Sequence, residues 1–255
     1  MDDYLSYQVA FVFNFYLIFL LMKFTSWKIC SKDLRPNLVK FLFASPLLSA
    51  RIYVKTKYPK IPFLFIFFKL CLSILFLACV IFISKNLLLP LNYFKIVLIA
   101  PMIYLFTEVL GGIGQLLFYP SSNGIPSIHR NPLISKSLGE FWGMRWNFWV
   151  RDWLIDVSRP HKKVLFKKLG FTFLISGLFH ELMVNLPHFL YYHESFFGNM
   201  TLYFIIQALG LWIEKKWLSN TPLFLGRLYL WSVVILPSPI FINRPLLEFF
   251  GIIDG

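Results

Sequence analysis

Long apolar runs that are almost free of charged residues constrain this sequence more than any other feature. A helix that crosses about 30 Å of hydrocarbon needs roughly 20 apolar residues, because its backbone polar groups must be satisfied within the segment. Six stretches approach this length, at about residues 4–22, 63–84, 93–113, 169–190, 200–213 and 228–243. Hydrophobic residues make up 58% of the 255-residue chain, against roughly 45–50% in soluble domains. The sequence therefore predicts an all-α, polytopic transmembrane protein, in which residues 1–255 form a single membrane-embedded domain.

Three shorter segments refine the number of spans. Residues 200–213 are short for a span, and we expect flanking residues to extend this helix. Residues 41–50 are apolar but carry Pro46 and are too short to cross, so an interfacial or re-entrant piece fits them better. Two further partial crossings could lie within 111–165, which gives about 6–8 spans in all. The acidic start, Met1-Asp2-Asp3, lacks the basic region of a secretory signal, so residues 4–22 are expected to remain as the first span.

The charge distribution agrees with six spans. The net charge is +13, and the segments 23–62, 120–168 and 214–227 hold 21 of the 25 Lys and Arg residues. With six spans these segments fall on one side of the membrane, which the positive-inside rule makes the cytoplasmic side. Because the charges lie between apolar runs, membrane lipids are the expected partner and nucleic acid is not.

The sequence contains no motif for metal or cofactor chemistry. Its three cysteines form neither a disulfide pattern nor a Cys/His metal spacing, and its five histidines lack the pairing of a di-iron membrane enzyme. A zinc-protease H-E-x-x-H is missing because position 184 is Val, and no P-loop or G-x-S-x-G occurs. We therefore expect no metal and no bound cofactor.

Half of the tryptophans lie in one short stretch. They are spaced at i, i+4, i+7 and i+11, which predicts one face of an amphipathic helix over about 140–156 at the membrane interface. These residues are Trp142, Trp146, Trp149 and Trp153. Arg145, Asp152 and Asp156 fall on a neighbouring face. The simpler alternative is a membrane anchor without a chemical role.

Asn147 interrupts this aromatic stretch and is predicted to lie away from the helix ends. Asparagine is a poor residue for a helix interior, because its side chain competes for backbone hydrogen bonds. A polar task, such as donating its amide to a substrate oxygen, is one explanation. A hydrogen-bonded surface asparagine is the structural alternative.

The fourth apolar run contains ionisable residues near its middle. His180 and Glu181 lie there, and ionisable groups inside a span are costly and suggest a functional site. Glu181 begins a polar stripe with Asn185 and His188, whereas His180 lies about 100° round the helix, on a side with small residues. A His–Glu network that joins helices is the structural alternative. Glu108, in the third run, is expected to pack or to pair with an arginine.

Two motifs together resemble a known family. The run N-P-L-I-S-K-S-L-G-E-F-W-G-M-R-W-N is followed some thirty residues later by S-G-L-F-H-E-L. This pair, over about residues 130–190, is similar to the wax synthase branch of the membrane-bound O-acyltransferase (MBOAT) superfamily. That family transfers an acyl group from acyl-CoA to an alcohol such as a fatty alcohol or a sterol. The chain is shorter than typical plant members, so the acceptor alcohol stays open.

The resemblance implies roles for six residues. His180 matches the catalytic histidine, expected to act as general base, and Asn147 matches its polar partner, expected to orient the substrate. The remaining residues are expected to contact substrate, namely Trp142, Arg145, Trp146 and Glu181. Acyl-CoA would be a co-substrate rather than a cofactor. The host membrane would be the endoplasmic reticulum in a eukaryote and the inner membrane in a bacterium.

Two points of the functional prediction stay open. The basic residues Arg145, Arg151, Lys162 and Lys163 are candidates for binding the phosphates of CoA, although the positive-inside rule explains them equally well. The alternatives to an enzyme are a transporter whose path is lined by Glu108, Glu181 and His180, and a non-catalytic protein that binds lipid or a partner.

Overall fold

The computed structural model describes residues 2–86, 96–97, 99–120, 124–158, 165–219 and 221–253. These residues form helices and connecting segments, and no β-strand occurs among them. The α-helices are α1 (Asp2–Ile29), α2 (Leu38–Phe43), α3 (Ala50–Lys55), α4 (Phe63–Asn86), α5 (Pro101–Leu117), α6 (Leu138–Glu140), α7 (Phe148–Val157), α8 (Leu165–His180), α9 (Leu186–Tyr192), α10 (Asn199–Trp217), α11 (Leu223–Ile235), α12 (Ser238–Phe241) and α13 (Arg244–Phe249). Two π-turns, Phe141–Arg145 and Glu181–Asn185, follow α6 and α8.

The protein is a polytopic helical membrane protein, as the apolar runs predicted. Within the described ranges, four helical stretches are long and apolar enough to cross a membrane. They are Tyr7–Ile29, Phe63–Asn86, Leu169–Tyr192 and Leu223–Phe241, and they correspond to the first, second, fourth and sixth predicted spans.

The third and fifth predicted spans also contain helices, but these helices are shorter or less apolar than the four candidate spans. Residues 93–95 and 98 of the third lie outside the described residues, and the helix that follows, α5, is a shorter apolar helix of 17 residues. The fifth, α10, has 19 residues and continues to Trp217, beyond its predicted end. Gln207 on α10 is fully buried, so one face of this helix packs within the protein.

Small and paired side chains hold the helices together. A Cβ built on Gly177 of α8 would lie 2.7 Å from the Cα of Thr201 on α10, so only glycine permits this close approach of two helices. Lys69 of α4 forms a 2.6 Å ion pair with Glu108 of α5. Glu108 is therefore paired, as predicted, but with a lysine rather than an arginine.

Residues 41–50 form no helix long enough to cross a membrane, as their length predicted. Helix α2 ends at Phe43, and residues 45–49 run without regular structure, buried, towards α3. Lys23 of α1 donates hydrogen bonds from Nζ to the carbonyls of Leu42 and Ser45. These bonds satisfy backbone groups that no helix satisfies here.

The predicted amphipathic helix over 140–156 is divided in two. The π-turn Phe141–Arg145 ends in extended backbone at Trp146, and α7 begins only at Phe148. Trp149 and Trp153 are buried, and their Nε1 groups donate to the carbonyl of Pro126 and the hydroxyl of Thr25. These two tryptophans therefore pack inside the protein instead of lying against lipid.

Candidate active site

His180 lies where its helix widens. It is the last residue of α8, and its ring lies 4.7 Å from Phe204 and 5.4 Å from Phe241 between centroids. Its Nδ1 donates a 2.7 Å hydrogen bond to the carbonyl of Ser176, one turn earlier. Because a carbonyl can only accept, this bond places the single proton of a neutral imidazole on Nδ1. Among the described residues Nε2 has no hydrogen-bond partner, so its lone pair is available.

A cavity of about 650 Å³ lies beside the ring of His180. It is lined mainly by apolar and aromatic side chains from α5, α7, α8, α10 and α11, and by the turn that carries the tryptophans. Its volume falls within the roughly 300–1,000 Å³ typical of small-molecule sites. Four of the residues predicted for the site line it, namely His180, Asn147, Trp142 and Trp146.

Asn147 lies at a helix start, and the prediction that it lies within a helix is wrong. It is the N-cap of α7, with a left-handed backbone (φ 37°), and its Oδ1 accepts a 3.2 Å hydrogen bond from the backbone N–H of Val150. Asparagine is favoured at N-caps and is one of the few residues that tolerate positive φ. With Oδ1 engaged in the cap, the two N–H donors on Nδ2 have no partner among the described residues.

The cavity therefore joins two complementary polar groups in apolar surroundings. His180 supplies an unprotonated imidazole nitrogen, and Asn147 supplies an amide donor. A base and an oxyanion donor are the two groups that acyl transfer to a hydroxyl requires.

Trp142 and Trp146 form an aromatic wall of the cavity. The indole Nε1 of Trp142 donates a 3.2 Å hydrogen bond to Oε1 of Gln207, and Trp146 stacks on Phe141 with centroids 5.3 Å apart and an interplanar angle of 19°. Both ring planes are therefore held in place, one by a hydrogen bond and one by stacking.

Glu214 fixes the turn that carries these tryptophans. Its carboxylate accepts hydrogen bonds of 2.5 and 2.8 Å from the backbone N–H groups of Leu138 and Gly139, at the start of α6. These groups have no partner within a helix, so the carboxylate caps the turn. The sequence interpretation missed Glu214, because 75 residues separate it from Gly139.

Arg145 and Glu181 do not line the cavity. Arg145 pairs with Glu140 at 2.6 Å. Glu181 is buried, and its carboxylate accepts hydrogen bonds from the Asn185 side chain and from the backbone N–H groups of Gly198 and Thr201. These contacts are those of the structural alternative, in which Glu181 joins helices, and the predicted substrate contact of Glu181 stays a prediction.

Among the described lysines and arginines, Arg151 is the one that reaches the cavity. Arg151 lines it while pairing with Asp152, and its guanidinium lies 4.6 Å from the centroid of Phe148. Burial raises the pKa of the Asp152 carboxyl, which the charge of Arg151 opposes. The guanidinium of Arg130 also lies over Phe148, 4.0 Å from the centroid of its ring. The two predicted phosphate ligands Lys162 and Lys163 lie outside the described residues.

His129, which contacts Asn147 from outside the cavity, is a second residue that the sequence interpretation missed. Its Nδ1 accepts a 3.0 Å hydrogen bond from the backbone N–H of Asn147, and its ring lies 4.5 Å from that of Trp146. Burial and the charge of Lys69 lower the pKa of His129 to about 3. The ring is therefore neutral at physiological pH. No local sequence pattern around His129 indicates this contact, because His129 and Asn147 are 18 residues apart.

The described residues contain no group of three or more His, Cys, Asp or Glu side chains that could hold a metal ion.

Comparisons with known proteins give one informative similarity. No family model matches the chain, and no solved structure matches it. A 120-residue stretch is 29% identical to a probable long-chain-alcohol O-fatty-acyltransferase of Arabidopsis thaliana and covers 42% of this chain and 34% of the relative. The chain thus spans about a third of the length of that curated relative, and over this stretch it is similar to a plant protein named for acyl transfer to long-chain alcohols.

Proposed function

We propose that this protein is a wax synthase-like, membrane-bound O-acyltransferase that moves a fatty acyl group from acyl-CoA to a hydrophobic alcohol. The observation that carries the proposal is that a free imidazole Nε2 and a free amide Nδ2, from His180 and Asn147, line the same apolar cavity. The similarity to a plant protein named as a long-chain-alcohol O-fatty-acyltransferase supports the same chemistry.

The proposed reaction begins with the acceptor alcohol, which is a weak nucleophile at neutral pH. Nε2 of His180 removes the hydroxyl proton as the oxygen attacks the carbonyl carbon of the thioester. The Nδ1–H bond to Ser176 holds the ring in the tautomer that can accept this proton. A carbon–oxygen bond forms, and the carbonyl oxygen becomes an oxyanion.

Asn147 acts on that oxyanion. Its Nδ2 donates a hydrogen bond as the charge develops, a type of contact whose loss costs about 10²–10³ in kcat elsewhere. The carbon–sulfur bond then breaks, and the protonated His180 returns its proton to the departing thiolate. The products are an ester and free CoA.

The apolar walls explain why the acyl group goes to an alcohol rather than to water. Trp142, Trp146 and Phe241 line the cavity and leave little polar surface for ordered water. A long-chain or ring-shaped alcohol gains affinity by burying its apolar body against these walls. Fatty alcohols and sterols are therefore the acceptor classes that we propose.

Acyl-CoA would approach from the basic side of the protein. Arg151 lines the cavity and packs on the ring of Phe148. Arg130 packs on the same ring, so a second guanidinium group lies near Arg151. Guanidinium groups bind phosphate oxygens well. The host membrane that we propose is the endoplasmic reticulum in a eukaryote or the inner membrane in a bacterium.

A transport path through ionisable residues is a weaker explanation of this arrangement. It needs Glu108, Glu181 and His180 along one route. Glu108 is ion-paired with Lys69, and Glu181 is held by backbone N–H groups of α10 and the segment before it. Of these three residues, His180 is the one that lines the cavity.

The proposal is tested by incubating membranes that contain the protein with radiolabelled acyl-CoA and a panel of alcohols. The panel contains fatty alcohols, a sterol and a short water-soluble alcohol. We expect labelled neutral ester with a hydrophobic alcohol and none with membranes that lack the protein. Flux of a solute across sealed vesicles without consumption of acyl-CoA would favour the transporter instead.

A further inference from the structure

His129 lies directly behind Asn147 and takes no part in the proposed chemistry. It is 3% exposed and does not line the cavity. Its two ring nitrogens contact different elements of the protein. Nδ1 lies 3.0 Å from the backbone nitrogen of Asn147, and Nε2 lies 2.8 Å from Oγ1 of Thr107 on α5.

The direction of these hydrogen bonds is fixed by their partners. A backbone N–H can only donate, so Nδ1 of His129 accepts from Asn147 and carries no proton. The proton of the neutral ring is then on Nε2, which donates to Oγ1 of Thr107. The hydroxyl of Thr107 in turn donates a hydrogen bond to the carbonyl of Ile103 or of Tyr104, at 2.9 Å each. A continuous chain of hydrogen bonds thus links the backbone of α5 to the backbone of Asn147.

A second hydrogen bond holds the peptide group on the C-terminal side of Asn147. The backbone N–H of Phe148 donates a 2.8 Å hydrogen bond to the carbonyl of Ile128. Residues 128 and 129 therefore bind the peptide groups on both sides of Asn147. The ring of His129 also packs against Tyr104 and Trp146, at centroid distances of 5.2 and 4.5 Å.

Asn147 needs such support because its backbone is in the left-handed region. At φ 37° a residue with a side chain is less stable than in an ordinary conformation, and it stays there only when its surroundings determine it. This same conformation begins α7 and directs the side chain of Asn147 into the cavity.

We propose that His129 is a positioning residue, which fixes the backbone of Asn147 so that the amide of Asn147 points at the reacting carbonyl in the cavity. The inference rests on the proposed acyl transfer. Burial lowers the pKa of His129 to about 3, with a further contribution from Lys69. Its ring therefore stays neutral, and Nδ1 remains an acceptor at the pH at which the protein works.

Two substitutions at one position separate this role from simple packing. His129→Asn puts an amide oxygen close to where Nδ1 lies, so it keeps an acceptor for the Asn147 N–H. His129→Gln puts its amide close to where Nε2 lies, so it keeps the partner of Thr107 but not that of Asn147. We expect His129→Gln to lower kcat for acyl transfer by about 10- to 100-fold with little change in KM. His129→Asn is expected to retain most of the activity.

The measurements are kcat and KM in membranes, together with thermal unfolding of the purified protein. The matched control is His193→Asn, because His193 is exposed and outside the cavity. Equal losses of kcat in the two His129 variants, or full activity in His129→Gln, would overturn the inference while leaving the proposed function intact. Wild-type membranes that form no ester with any alcohol would instead remove the proposed function, and this inference with it.

A second pair of variants covers the case in which neither His129 variant folds. Thr107→Val removes the hydroxyl that receives the Nε2 proton, whereas Thr107→Ser keeps it. We expect kcat to fall in Thr107→Val and to be largely kept in Thr107→Ser. Equal kcat in the two variants would contradict a role for this hydrogen-bond chain.

Discussion

Gly177 of α8 and Thr201 of α10 are in such close contact that a Cβ on the glycine would lie 2.7 Å from the Cα of the threonine. The atom that it would meet belongs to the backbone, so a side chain there must push the two helices apart. Gly177 precedes His180 by one turn, and α10 carries Phe204, which packs on the His180 ring. This contact therefore sets the distance between the proposed base and one wall of the cavity.

Replacing Gly177 with valine is expected to destabilise the protein by about 1–3 kcal/mol, the usual cost of overpacking. Acyl transfer is expected to fall as well, since His180 moves relative to the cavity. Thermal unfolding in detergent and ester formation in membranes measure the two effects. Gly170→Ala is the control in the same helix, because a Cβ on Gly170 meets no atom of the described residues within 4 Å. An equally stable and active Gly177→Val protein would contradict the close approach.

Substitutions of Asn147 are expected to separate its two roles. Asn147→Asp keeps an oxygen for the helix cap and tolerates positive φ, so thermal stability should change little. It removes the Nδ2 donor, and kcat should fall by about 10²–10³, as for other oxyanion donors. Asn147→Ala loses the cap as well and should lower both the melting temperature and kcat. Wild-type kcat in Asn147→Asp would show that the amide does not contact the reacting group.

The ion pair between Lys69 and Glu108 predicts a non-additive effect on stability. Glu108 is 5% exposed, so Lys69→Leu leaves a carboxylate without its partner inside the protein. The double variant Lys69→Leu, Glu108→Leu removes both charges. We expect the double variant to unfold at a higher temperature than Lys69→Leu alone. A lower unfolding temperature for the double variant would show that Lys69 and Glu108 do not stabilise the protein as a coupled pair.

The pKa of His129 predicts how stability depends on pH. In the folded protein it is lowered from 6.5 to about 3, so the unfolded chain binds the additional proton between these values. The stability gained from burying the neutral ring is present above about pH 6.5 and is lost as the pH falls towards 3. Between pH 7.5 and pH 5 the melting temperature of the wild type should therefore fall more than that of His129→Asn. An identical fall in both proteins would contradict burial of a neutral ring.

The fold was largely predictable because lipid allows few solutions for a polypeptide backbone. Runs such as 63–84 are readable one at a time, since each helix satisfies its own hydrogen bonds. The same logic predicted that ionisable residues inside a run are exceptional. It therefore indicated His180, which does line a cavity, and Glu181, which does not.

The details of the site depend on backbone geometry that residue spacing does not record. The spacing of the tryptophans fits one helix, yet a π-turn and the cap at Asn147 break it. The preference of asparagine for N-caps was the available signal. His129 and Glu214 act through contacts with backbone groups of residues that are distant in sequence. Such contacts depend on the tertiary fold and leave no local pattern.

The most direct test of the account is ester formation by wild-type and His180→Ala protein at equal expression, with His193→Asn as the matched histidine control. Labelled acyl-CoA and a long-chain alcohol are supplied, and the neutral ester is counted. We predict ester from the wild type and from His193→Asn, and none above background from His180→Ala. Ester formation by His180→Ala at the wild-type rate would contradict the assignment of His180 as the base.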